Sequence, residues 1–199
     1  MDTHYESHLE GLLEQLDEEI NFLSWNPPIL YENLKFVGRG SFGSVYLARH
    51  KIDHYFVAVK IIHPIDRKDI SVLVNEVKSL RNLHHRNIVY LFDLCTIKPI
   101  FLYEGYTIFI VMEYCHILLS DLIKNKHVQI DIEESRYLMQ QIFAGVEYIH
   151  GQRLFHRDIK PDNIMVTLKG VIKICDFGSC RRYDEGEGSL EEEREFSNP

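Results

Sequence analysis

The first part of the chain alternates apolar and polar residues at helical spacing. Leucine and isoleucine recur three or four positions apart, at Leu9, Leu13, Leu16, Ile20 and Leu23. A capping-box pair, Ser7 and Glu10, precedes this run, and Pro27 and Pro28 end it. The pattern predicts an amphipathic helix within residues 1–28, which either packs on its own domain or binds a partner protein.

From residue 31 the apolar pattern changes to short strands separated by glycine-rich or polar turns. The predicted strands cover residues 34–37, 44–48, 56–59, 88–92 and 107–112. Their lengths and turns are typical of an antiparallel meander. Between the third and the fourth strand, residues 70–82 carry apolar side chains at helical spacing, which predicts one helix. We therefore expect a mostly antiparallel sheet with a single helix.

The pattern returns to helical spacing at Asp131. Apolar side chains recur every three to four residues, whereas Gln140, Gln141 and Glu147 are predicted to lie on other faces of this helix. Two short apolar runs, 164–166 and 171–174, follow with a turn-like tetrapeptide between them, which predicts a β-hairpin. The whole chain is predicted to be α+β, with a mostly helical second part.

Composition and charge narrow the classes of function. The 199 residues have a net charge of −8, and six of these charges are in the segment 184–195, which has seven acids and one base. Such a composition predicts a solvated, disordered tail over residues 184–199, and it argues against nucleic acid as the main partner. No apolar run approaches the about 20 residues of a membrane span, so no membrane association is expected.

The four cysteines show no C-x-x-C spacing. Most of them lie in apolar, strand-like contexts, so buried free thiols in a reducing compartment are expected. We therefore predict a cytoplasmic protein, with the nucleus as an alternative location.

One short stretch concentrates polar residues that suit phosphate chemistry. Within the run 156–163, Asp158 could accept a hydroxyl proton and Lys160 could neutralise a phosphate. Asn163 in the same run and Asp176 after the hairpin are oxygen ligands of the type that Mg²⁺ takes alongside substrate phosphates. The predicted hairpin would bring Asp176 back beside Asn163. These residues predict a phosphoryl-transfer site.

A glycine-rich loop lies between the first two predicted strands. It consists of Gly38, Arg39, Gly40, Ser41, Phe42 and Gly43. A G-x-G-x-x-G motif also opens dinucleotide-binding folds, but a helix would follow it there, whereas Val45 continues a strand here. The loop is therefore predicted to fold over phosphates and to offer them backbone N–H groups. The alternative is a structural hairpin whose glycines only make the turn.

The third predicted strand ends in Lys60. A lysine at such a place can extend its amine to solvent, but a buried lysine needs a carboxylate. Glu76 is predicted to face inward on the following helix. An ion pair between Lys60 and Glu76 would satisfy both groups and direct the ammonium at the α- and β-phosphates of a nucleotide.

These motifs resemble those of the eukaryotic protein kinase family. Their order is a Gly-rich loop, V-A-V-K, a helix glutamate, H-R-D-I-K-P-D-N and D-F-G. The resemblance covers about residues 31–183, and Lys160 matches the serine/threonine type. It implies a two-lobe fold, with an N-lobe and hinge over 31–115 and a partial C-lobe over 116–183. It also implies transfer of the γ-phosphoryl group of ATP, with Mg²⁺, to Ser or Thr hydroxyls of protein substrates.

The resemblance assigns roles to the matching residues. Asp158 would orient and deprotonate the substrate hydroxyl, with Lys160 beside it, while Asn163 and Asp176 would hold Mg²⁺. Met112 would be the gatekeeper before a hinge over residues 113–115. The contacts to adenine would come from Val45, Ala58, Met112, Glu113, Cys115 and Met165.

Two further groups follow from the resemblance. An apolar stack would link the two lobes through Leu80, Leu91, His156 and Phe177. Arg157 would be free to pair with a phosphorylated residue. The candidate acceptors for that phosphate are Ser179, Tyr183, Ser189 and Ser197.

The sequence departs from the family pattern in two places. Residues 116–119 replace the usual glycine-containing turn after the hinge, so Ser120 or Asp121 would have to hold the ribose. The chain also ends before an A-P-E motif, so a C-terminally truncated domain is expected. Such a domain would expose apolar surface on the helix over 133–149 and would be marginally stable.

Two alternatives to an active protein kinase stay open. The chain could be a non-catalytic fragment that binds a nucleotide or a partner, in which case nucleotide binding would occur without phosphoryl transfer. It could also be a small-molecule kinase of similar fold, although the serine/threonine-type loop disfavours this class.

Overall fold

The computed structural model describes residues 30–40, 43–62, 67–97 and 107–183. The predicted N-terminal helix, Ser41 and Phe42 of the Gly-rich loop, and the acidic segment 184–195 lie outside the described residues. The predictions for these parts of the chain stay predictions.

The first half of the described chain forms a five-stranded sheet with the order β1-β2-β3-β5-β4. Its strands are β1 (Tyr31–Gly40), β2 (Gly43–His50), β3 (Phe56–Ile62), β4 (Leu91–Ile97) and β5 (Thr107–Glu113). All neighbours are antiparallel. The antiparallel sheet is confirmed, with the difference from a simple meander that β5 inserts between β3 and β4.

The central strand β3 shows why these residues form a sheet. Val57 and Val59 are buried and pack with Tyr31, Ala48 and Val111 in one core cluster. Successive side chains of a strand point to opposite faces. The side chains between these valines and after them, Ala58 and Lys60, therefore face the other side of the sheet.

One helix, α1 (Arg67–Arg81), follows β3 and begins earlier than the predicted start at residue 70. Leu73, Val77 and Leu80 are buried along one side of it, at the spacing of a helix face that packs on a core. The helix also packs on the 3-10 turn Phe177–Ser179, which follows the hairpin predicted over residues 164–174. It therefore connects the sheet to the D-F-G stretch.

The strand predicted over residues 88–92 is wrong in its position. The observed strand β4 begins at Leu91, and Ile88 forms only an isolated parallel bridge with Ile174. The backbone before β4 bonds instead to the hairpin predicted over residues 164–174, because the Val89 N–H donates to the Ile174 carbonyl at 3.0 Å. Ile88 and Val89 are buried there, so an apolar run marks burial without marking a strand in the main sheet.

The second part of the described chain contains two helices, α2 (Leu119–Lys124) and α3 (Ile132–Gly151). Its short strands are β6 (Ile117–Leu118), β7 (Leu154–Phe155), β8 (Ile164–Val166), β9 (Ile172–Ile174) and β10 (Arg181–Arg182). The predicted hairpin is confirmed as β8 and β9, and its turn contains Gly170 at a φ of 69°. β6 pairs with β8, and β10 pairs with β7.

The helix α3 begins at a capping box. The side chain of Asp131 accepts a hydrogen bond from the backbone N–H of Glu134 at 2.8 Å, and the Glu134 carboxylate accepts one from the backbone N–H of Asp131 at 3.0 Å. These reciprocal bonds satisfy two donors that a helix start leaves unpaired. The helix predicted from Asp131 onward is confirmed.

The prediction that Gln141 lies on a different face of α3 from the buried apolar residues is wrong. Gln141 is buried, and its Oε1 accepts hydrogen bonds from Asn87 Nδ2 at 3.0 Å and from the Ile172 backbone N–H at 3.1 Å. Its Nε2 donates to the Gly170 carbonyl at 3.0 Å. A buried amide is stable when its polar atoms are hydrogen-bonded. The hydropathy pattern cannot predict such partners, so it places a buried glutamine at the surface.

Buried side chains from both parts of the chain meet in one core cluster. Its members are Leu80, Leu83, Ile88, Val89, Ile149, Leu154, Ile174, Phe177 and Cys180. The α+β architecture is confirmed, with a sheet and one helix followed by a mostly helical part. The lobe boundaries at residues 31–115 and 116–183 stay a prediction. None of the helices in the described ranges is long and apolar enough to cross a membrane.

Candidate active site

The loop between β7 and the 3-10 turn Pro161–Asn163 carries Asp158. Its Oδ2 accepts hydrogen bonds from Lys160 Nζ and from Asn163 Nδ2, both at 2.7 Å. These bonds lower the pKa of Asp158, with Lys160 as the largest cause. The carboxylate is therefore ionised at neutral pH. No hydrogen bond to its other oxygen, Oδ1, is present among the residues that the structure describes.

The imidazole of His156 fixes the start of this loop. Its Nδ1 accepts a hydrogen bond from the Asp158 backbone N–H at 3.3 Å, and its Nε2 lies 3.0 Å from the Cys175 carbonyl oxygen. Because a carbonyl only accepts, Nε2 carries the proton and the ring is neutral. Burial lowers the pKa of His156, and this effect exceeds the opposing effects of the Cys175 carbonyl and of Asp176 and Asp158.

The Asn163 amide links the loop to the predicted metal position. Its Nδ2 donates to the Asp158 backbone oxygen at 2.9 Å and to Asp158 Oδ2 at 2.7 Å. Both of these atoms are acceptors, so the amide nitrogen must face Asp158. The amide oxygen Oδ1 therefore faces away from Asp158.

Asp176 follows β9 with a left-handed backbone, at φ 63° and ψ 73°. The preceding residue, Cys175, donates its N–H to the Asn163 carbonyl at 3.0 Å. The hairpin thus brings the start of D-F-G back to Asn163, as the sequence predicts. A left-handed non-glycine residue costs roughly 1–3 kcal/mol and persists where the surrounding structure holds it, often at functional sites.

The predicted ion pair between β3 and α1 is present. Lys60 Nζ donates to Glu76 Oε1 at 3.0 Å and to Oε2 at 2.8 Å, and both residues are buried. A buried charge is stable only when it is paired and hydrogen-bonded. The pair therefore fixes the distance between the central strand and the helix. Its role toward phosphates stays a prediction.

The residues predicted to surround adenine lie on adjacent strands. Met112 in β5 is opposite Ala58 in β3, and Val45 in β2 is opposite Lys60. Each of the three apolar residues is only partly buried. The sheet therefore places them close to the Lys60–Glu76 pair, with surface that a ligand can contact.

The hinge is held by a contact that the sequence does not predict. Glu113 N–H donates to the Tyr90 carbonyl at 2.8 Å, and Glu113 Oε2 lies 2.7 Å from Lys173 Nζ. A lysine within a short strand resembles a solvent-facing residue, so the pattern gives no signal for this pair. Cys115 at the end of the hinge is buried, and burial raises its pKa to about 12. Met165 lies opposite Leu118 of β6.

The described part of the Gly-rich loop forms the predicted hairpin. Arg39 pairs with Ser44 and Gly40 pairs with Gly43. A Cβ atom on Gly43 would lie 2.2 Å from the Ile61 carbonyl oxygen, whereas a Cβ atom on Gly38 would meet nothing within 4 Å. Glycine is therefore required at position 43 by the close approach of β2 to β3.

The predicted apolar stack is assembled. The rings of His156 and Phe177 lie 4.8 Å apart between centroids in an edge-to-face arrangement. Leu80 and Phe177 are buried in the same core cluster, and Leu91 and Met112 pack against it. The stack therefore connects the helix that carries Glu76 to the loop that carries Asp158.

Asn75 is a further residue of the site that the sequence analysis does not identify. Its Nδ2 donates to the Gly178 carbonyl at 3.0 Å and to the Cys180 carbonyl at 2.8 Å. The amide ties α1 to the residues that follow Asp176. Its position next to Glu76 in the sequence indicates that Asn75 lies near the site, but the hydropathy pattern does not indicate which groups it bonds to.

One prediction about side chains near the site needs correction, and another is untested. Arg157 Nε donates to the Ser179 carbonyl at 2.9 Å, which uses one of the five N–H donors of its guanidinium, so its predicted pairing with a phosphorylated residue stays a prediction. Ser120 lies buried in the first turn of α2, and its Oγ has no partner among the described residues, so it does not face a ribose. Asp121 is exposed, and its predicted contact with a ribose stays a prediction.

The expectation of free thiols is confirmed for the three cysteines whose side chains are described. Cys115 and Cys180 are buried and Cys175 is half-buried. Burial raises the pKa of Cys175 and of Cys180 to about 12. These thiols are therefore protonated packing residues.

Comparison with known proteins agrees with this geometry. The family model described as the protein kinase domain matches residues 31–197. The chain belongs to the eukaryotic serine/threonine protein kinase family. The two-lobe, α+β kinase fold is accordingly the architecture that the described elements form.

Several curated relatives are kinases with similar names. Cyclin-dependent kinase 9-B of Xenopus laevis is 35% identical over 167 residues. Cyclin-dependent kinase 9 of Homo sapiens is 35% identical over 164 residues, and that of Danio rerio is 34% identical over 166 residues. Each match covers 80% of this chain and 44% of the relative. The chain therefore spans less than half the length of these relatives.

Proposed function

We propose that this chain carries the nucleotide- and metal-binding part of a protein kinase, and that it transfers the γ-phosphoryl group of ATP to Ser or Thr hydroxyls of protein substrates. One observation carries the proposal. The buried Lys60–Glu76 pair and an ionised Asp158 held by Lys160 and Asn163 occur together in one fold. Phosphoryl transfer depends mainly on positioning and electrostatic stabilisation, which these two groups provide.

Asp158 would act on the substrate hydroxyl through Oδ1. Its Oδ2 is occupied by Lys160 and Asn163, which fixes the direction of the other oxygen. Because the pKa of Asp158 is lowered, the carboxylate is a weak base, and its main effect would be to orient the hydroxyl. As the new O–P bond forms and the bond to ADP breaks, the hydroxyl proton would move to Asp158.

Membership in the family implies the use of ATP with a divalent metal ion. The proposal names Mg²⁺, with Asn163 Oδ1 and the Asp176 carboxylate as the protein ligands. The donor set fits, since Mg²⁺ usually takes one or two protein oxygens together with phosphates and water. When bound, Mg²⁺ would neutralise negative charge on the phosphates. No cluster of three or more His, Cys, Asp and Glu side chains suited to a metal is present in the described ranges.

The rest of the nucleotide would be bound by the first half of the chain. Lys60 would contact the α- and β-phosphates, because Glu76 holds its ammonium in a fixed position. Backbone N–H groups of the Gly-rich loop, residues 38–43, would cover the phosphates. The adenine ring would lie against Val45, Ala58, Met165 and the hinge with Met112, Glu113 and Cys115.

The test is a phosphate-transfer assay with the purified 199-residue chain, γ-labelled ATP, Mg²⁺ and a generic protein substrate. We expect Asp158→Ala and Lys60→Met to reduce transfer by at least about 100-fold, because losing a positioned proton acceptor or a group that stabilises transition-state charge usually costs at least that much. The matched control is Lys169→Met, because Lys169 is an exposed lysine in the hairpin turn. Equal transfer by Asp158→Ala would contradict the proposal. Nucleotide binding without any transfer would instead favour the non-catalytic fragment.

The proposal includes a regulatory protein partner. The relatives are named as cyclin-dependent kinases, so a cyclin is the class of partner that the similarity suggests. The predicted helix within residues 1–28 is a second candidate contact for a partner. Transfer that rises several-fold when a cyclin bound by these relatives is added would support this part of the proposal, and an unchanged rate with no complex formed would exclude it.

A further inference from the structure

One face of the five-stranded sheet is buried on the side away from the proposed nucleotide contacts. Val57, Val59 and Val111 lie on this face and are 0%, 1% and 0% exposed. Ala58 and Lys60 face the other way, because successive side chains of a strand point to opposite faces. We call the buried side the outer face of the sheet. It is separate from the side that carries the proposed phosphoryl-transfer site.

The burial of the outer face requires a covering layer. The described members of its core cluster are Tyr31, Ala48, Val57, Val59 and Val111, with Leu30, Ile61 and Phe109 packed against them. Apart from Leu30, all of these residues belong to strands of the sheet itself. A sheet buries a face only by packing it against another element. The outer face therefore needs a layer that the described members of this cluster do not supply.

The buried part of the outer face lies at the end of the sheet where the described chain begins. Val57 is opposite Ala48 in β2 and opposite Glu113 at the end of β5. Leu30 lies at this same end, because its carbonyl accepts the Lys51 N–H at 2.8 Å and its side chain packs against the cluster. The chain before Leu30 therefore starts at the edge of the buried area.

Residues 98–106 also adjoin the sheet, but at its opposite end. They join β4 to β5 and precede Thr107. Thr107 and Glu113 are the two ends of β5, which are roughly 20 Å apart at the rise of a strand. Ile61 and Phe109, the cluster residues nearer to Thr107, are only partly buried. Burial thus increases toward Leu30, which favours the chain before Leu30 as the cover.

The N-terminal segment has the apolar side that the outer face requires. The apolar positions of its predicted helix are Leu9, Leu13, Leu16, Ile20 and Leu23. They would span about 21 Å at roughly 1.5 Å per residue, whereas four neighbouring strands span about 14 Å. Residues 24–29 can extend over about 20 Å. The predicted helix is therefore long enough to cross β1, β2, β3 and β5, and its connection to Leu30 is long enough to allow it.

Charge and tethering favour packing within one molecule. Residues 1–28 contain seven acids and no lysine or arginine, so two copies of this segment repel each other. The segment is also tethered beside the outer face, and the local concentration of a tethered segment is on the order of millimolar. A second copy of the chain has no such advantage.

We propose that the predicted helix within residues 1–28 packs its apolar side on the outer face of the sheet in the same molecule. The packing removes apolar surface of both from water and thereby stabilises the sheet that carries Lys60. The acidic side of the helix stays exposed, where a partner protein can contact it. The inference does not depend on the proposed phosphoryl transfer.

The test is photo-crosslinking of the 199-residue chain with a benzophenone side chain in place of Leu16, in the middle of the predicted apolar side. The matched control carries the same group in place of Gln15, which is predicted to lie on the polar side. Peptide mass spectrometry locates the linked residues. An equal mixture of nitrogen-15-labelled and unlabelled chains distinguishes links within one molecule from links between two. Urea unfolding verifies that each chain has a cooperative transition.

We expect the probe at position 16 to link to β1, β2, β3 or β5 within chains of uniform isotope. These links should be at least about fivefold more frequent than those from position 15, because the two positions face different sides of a helix. Leu16→Ala should lower the folding equilibrium constant at least about tenfold, as for other buried leucines. Gln15→Ala should change it less than about threefold.

Equal yields from positions 15 and 16 would overturn the inference, and so would links from position 16 to residues outside the sheet. Links found mainly in mixed-isotope pairs would mean that a second copy covers the outer face. Equal stability of Leu16→Ala and Gln15→Ala would mean that another segment, such as residues 98–106, covers it. If the benzophenone at position 16 abolishes the cooperative transition, the comparison of the two alanine variants decides alone.

Discussion

At the scale of single residues, Asp158 and His156 lie two positions apart in one loop, yet different physical causes lower their pKa values. Hydrogen bonds from Lys160 and Asn163 stabilise the charged form of Asp158. Burial disfavours the charged form of His156. One residue is thus kept ionised and the other neutral at the same pH, which suits an acceptor of a substrate hydroxyl beside a structural ring.

The shift at His156 predicts how stability depends on pH. Because its folded-state pKa lies below the ordinary value of 6.5, the unfolded chain takes up this proton first as the pH falls. The contribution of neutral His156 to the free energy of unfolding should therefore be complete above pH 6.5. Below that pH the free energy of unfolding should decrease, by up to about 1.4 kcal/mol per pH unit for this one group. The pKa of His85 is also lowered, chiefly by burial, and it contributes in the same direction.

Urea unfolding between about pH 7.5 and pH 5.5 measures this dependence. We expect His156→Gln to flatten the decrease relative to the unmodified chain. His127→Gln, which changes an exposed histidine, should leave the slope as it is. Identical slopes for all three proteins would contradict the assignment of a neutral, buried His156.

The two outer glycines of the Gly-rich loop allow a matched test of packing. Gly43→Ala places a Cβ atom 2.2 Å from the Ile61 carbonyl oxygen, so β2 must shift away from β3. We expect a loss of about 1–3 kcal/mol in the free energy of unfolding, as for other overpacked sites. Gly38→Ala has open space and should change stability by less than about 0.5 kcal/mol. Equal losses in urea unfolding would argue against this account of β2 and β3.

At the scale of elements, the sequence predicts structure where a local pattern and a motif agree. The hairpin β8–β9, the capped start of α3 and the Lys60–Glu76 pair could all be inferred, because each has a local signal or a partner of opposite charge nearby in the chain. Asn75 and Lys173 could not be paired in this way. Asn75 bonds to two backbone carbonyls and Lys173 pairs with a distant carboxylate, and the hydropathy pattern indicates none of these partners.

Gln141 shows the same limit and gives a prediction for α3. Gln141→Leu would leave the Asn87 amide, the Ile172 N–H and the Gly170 carbonyl without a bond that each now has to this side chain. The expected loss is about 2–4 kcal/mol, since each unpaired buried group costs about 1–3 kcal/mol. The neighbouring exposed residue supplies the control, because Gln140→Leu should change stability by less than about 0.5 kcal/mol. If Gln141→Leu leaves the free energy of unfolding in urea unchanged, this network does not hold the hairpin to α3.

At the scale of the whole molecule, α3 exposes an apolar surface, as the sequence analysis predicts. Ile132, Met139 and Phe143 are 73%, 47% and 64% exposed. Exposed apolar patches of this kind mark surfaces that associate with other molecules. The chain should therefore self-associate more readily than its charge alone suggests.

Substitution at this surface tests that expectation. Phe143→Lys should reduce self-association in sedimentation or light scattering, with a change in unfolding free energy of less than about 1 kcal/mol, because the side chain is mostly solvated. Ile142→Ala is the buried neighbour and should cost about 2–4 kcal/mol. Self-association that is unchanged in Phe143→Lys would show that another surface mediates it.

The central claim is that this chain alone assembles a site for Mg²⁺-ATP from Lys60, Glu76, Asn163 and Asp176. The most direct measurement is thermal unfolding with Mg²⁺-ATP, and with ATP and a chelator, for the unmodified chain and for Asp176→Asn. A ligand at 100 times its dissociation constant stabilises the folded state by about 2.7 kcal/mol. We predict one cooperative transition that rises with Mg²⁺-ATP, rises less without the metal, and loses this difference in Asp176→Asn. The absence of a cooperative transition, or a transition that Mg²⁺-ATP does not move, would contradict the claim.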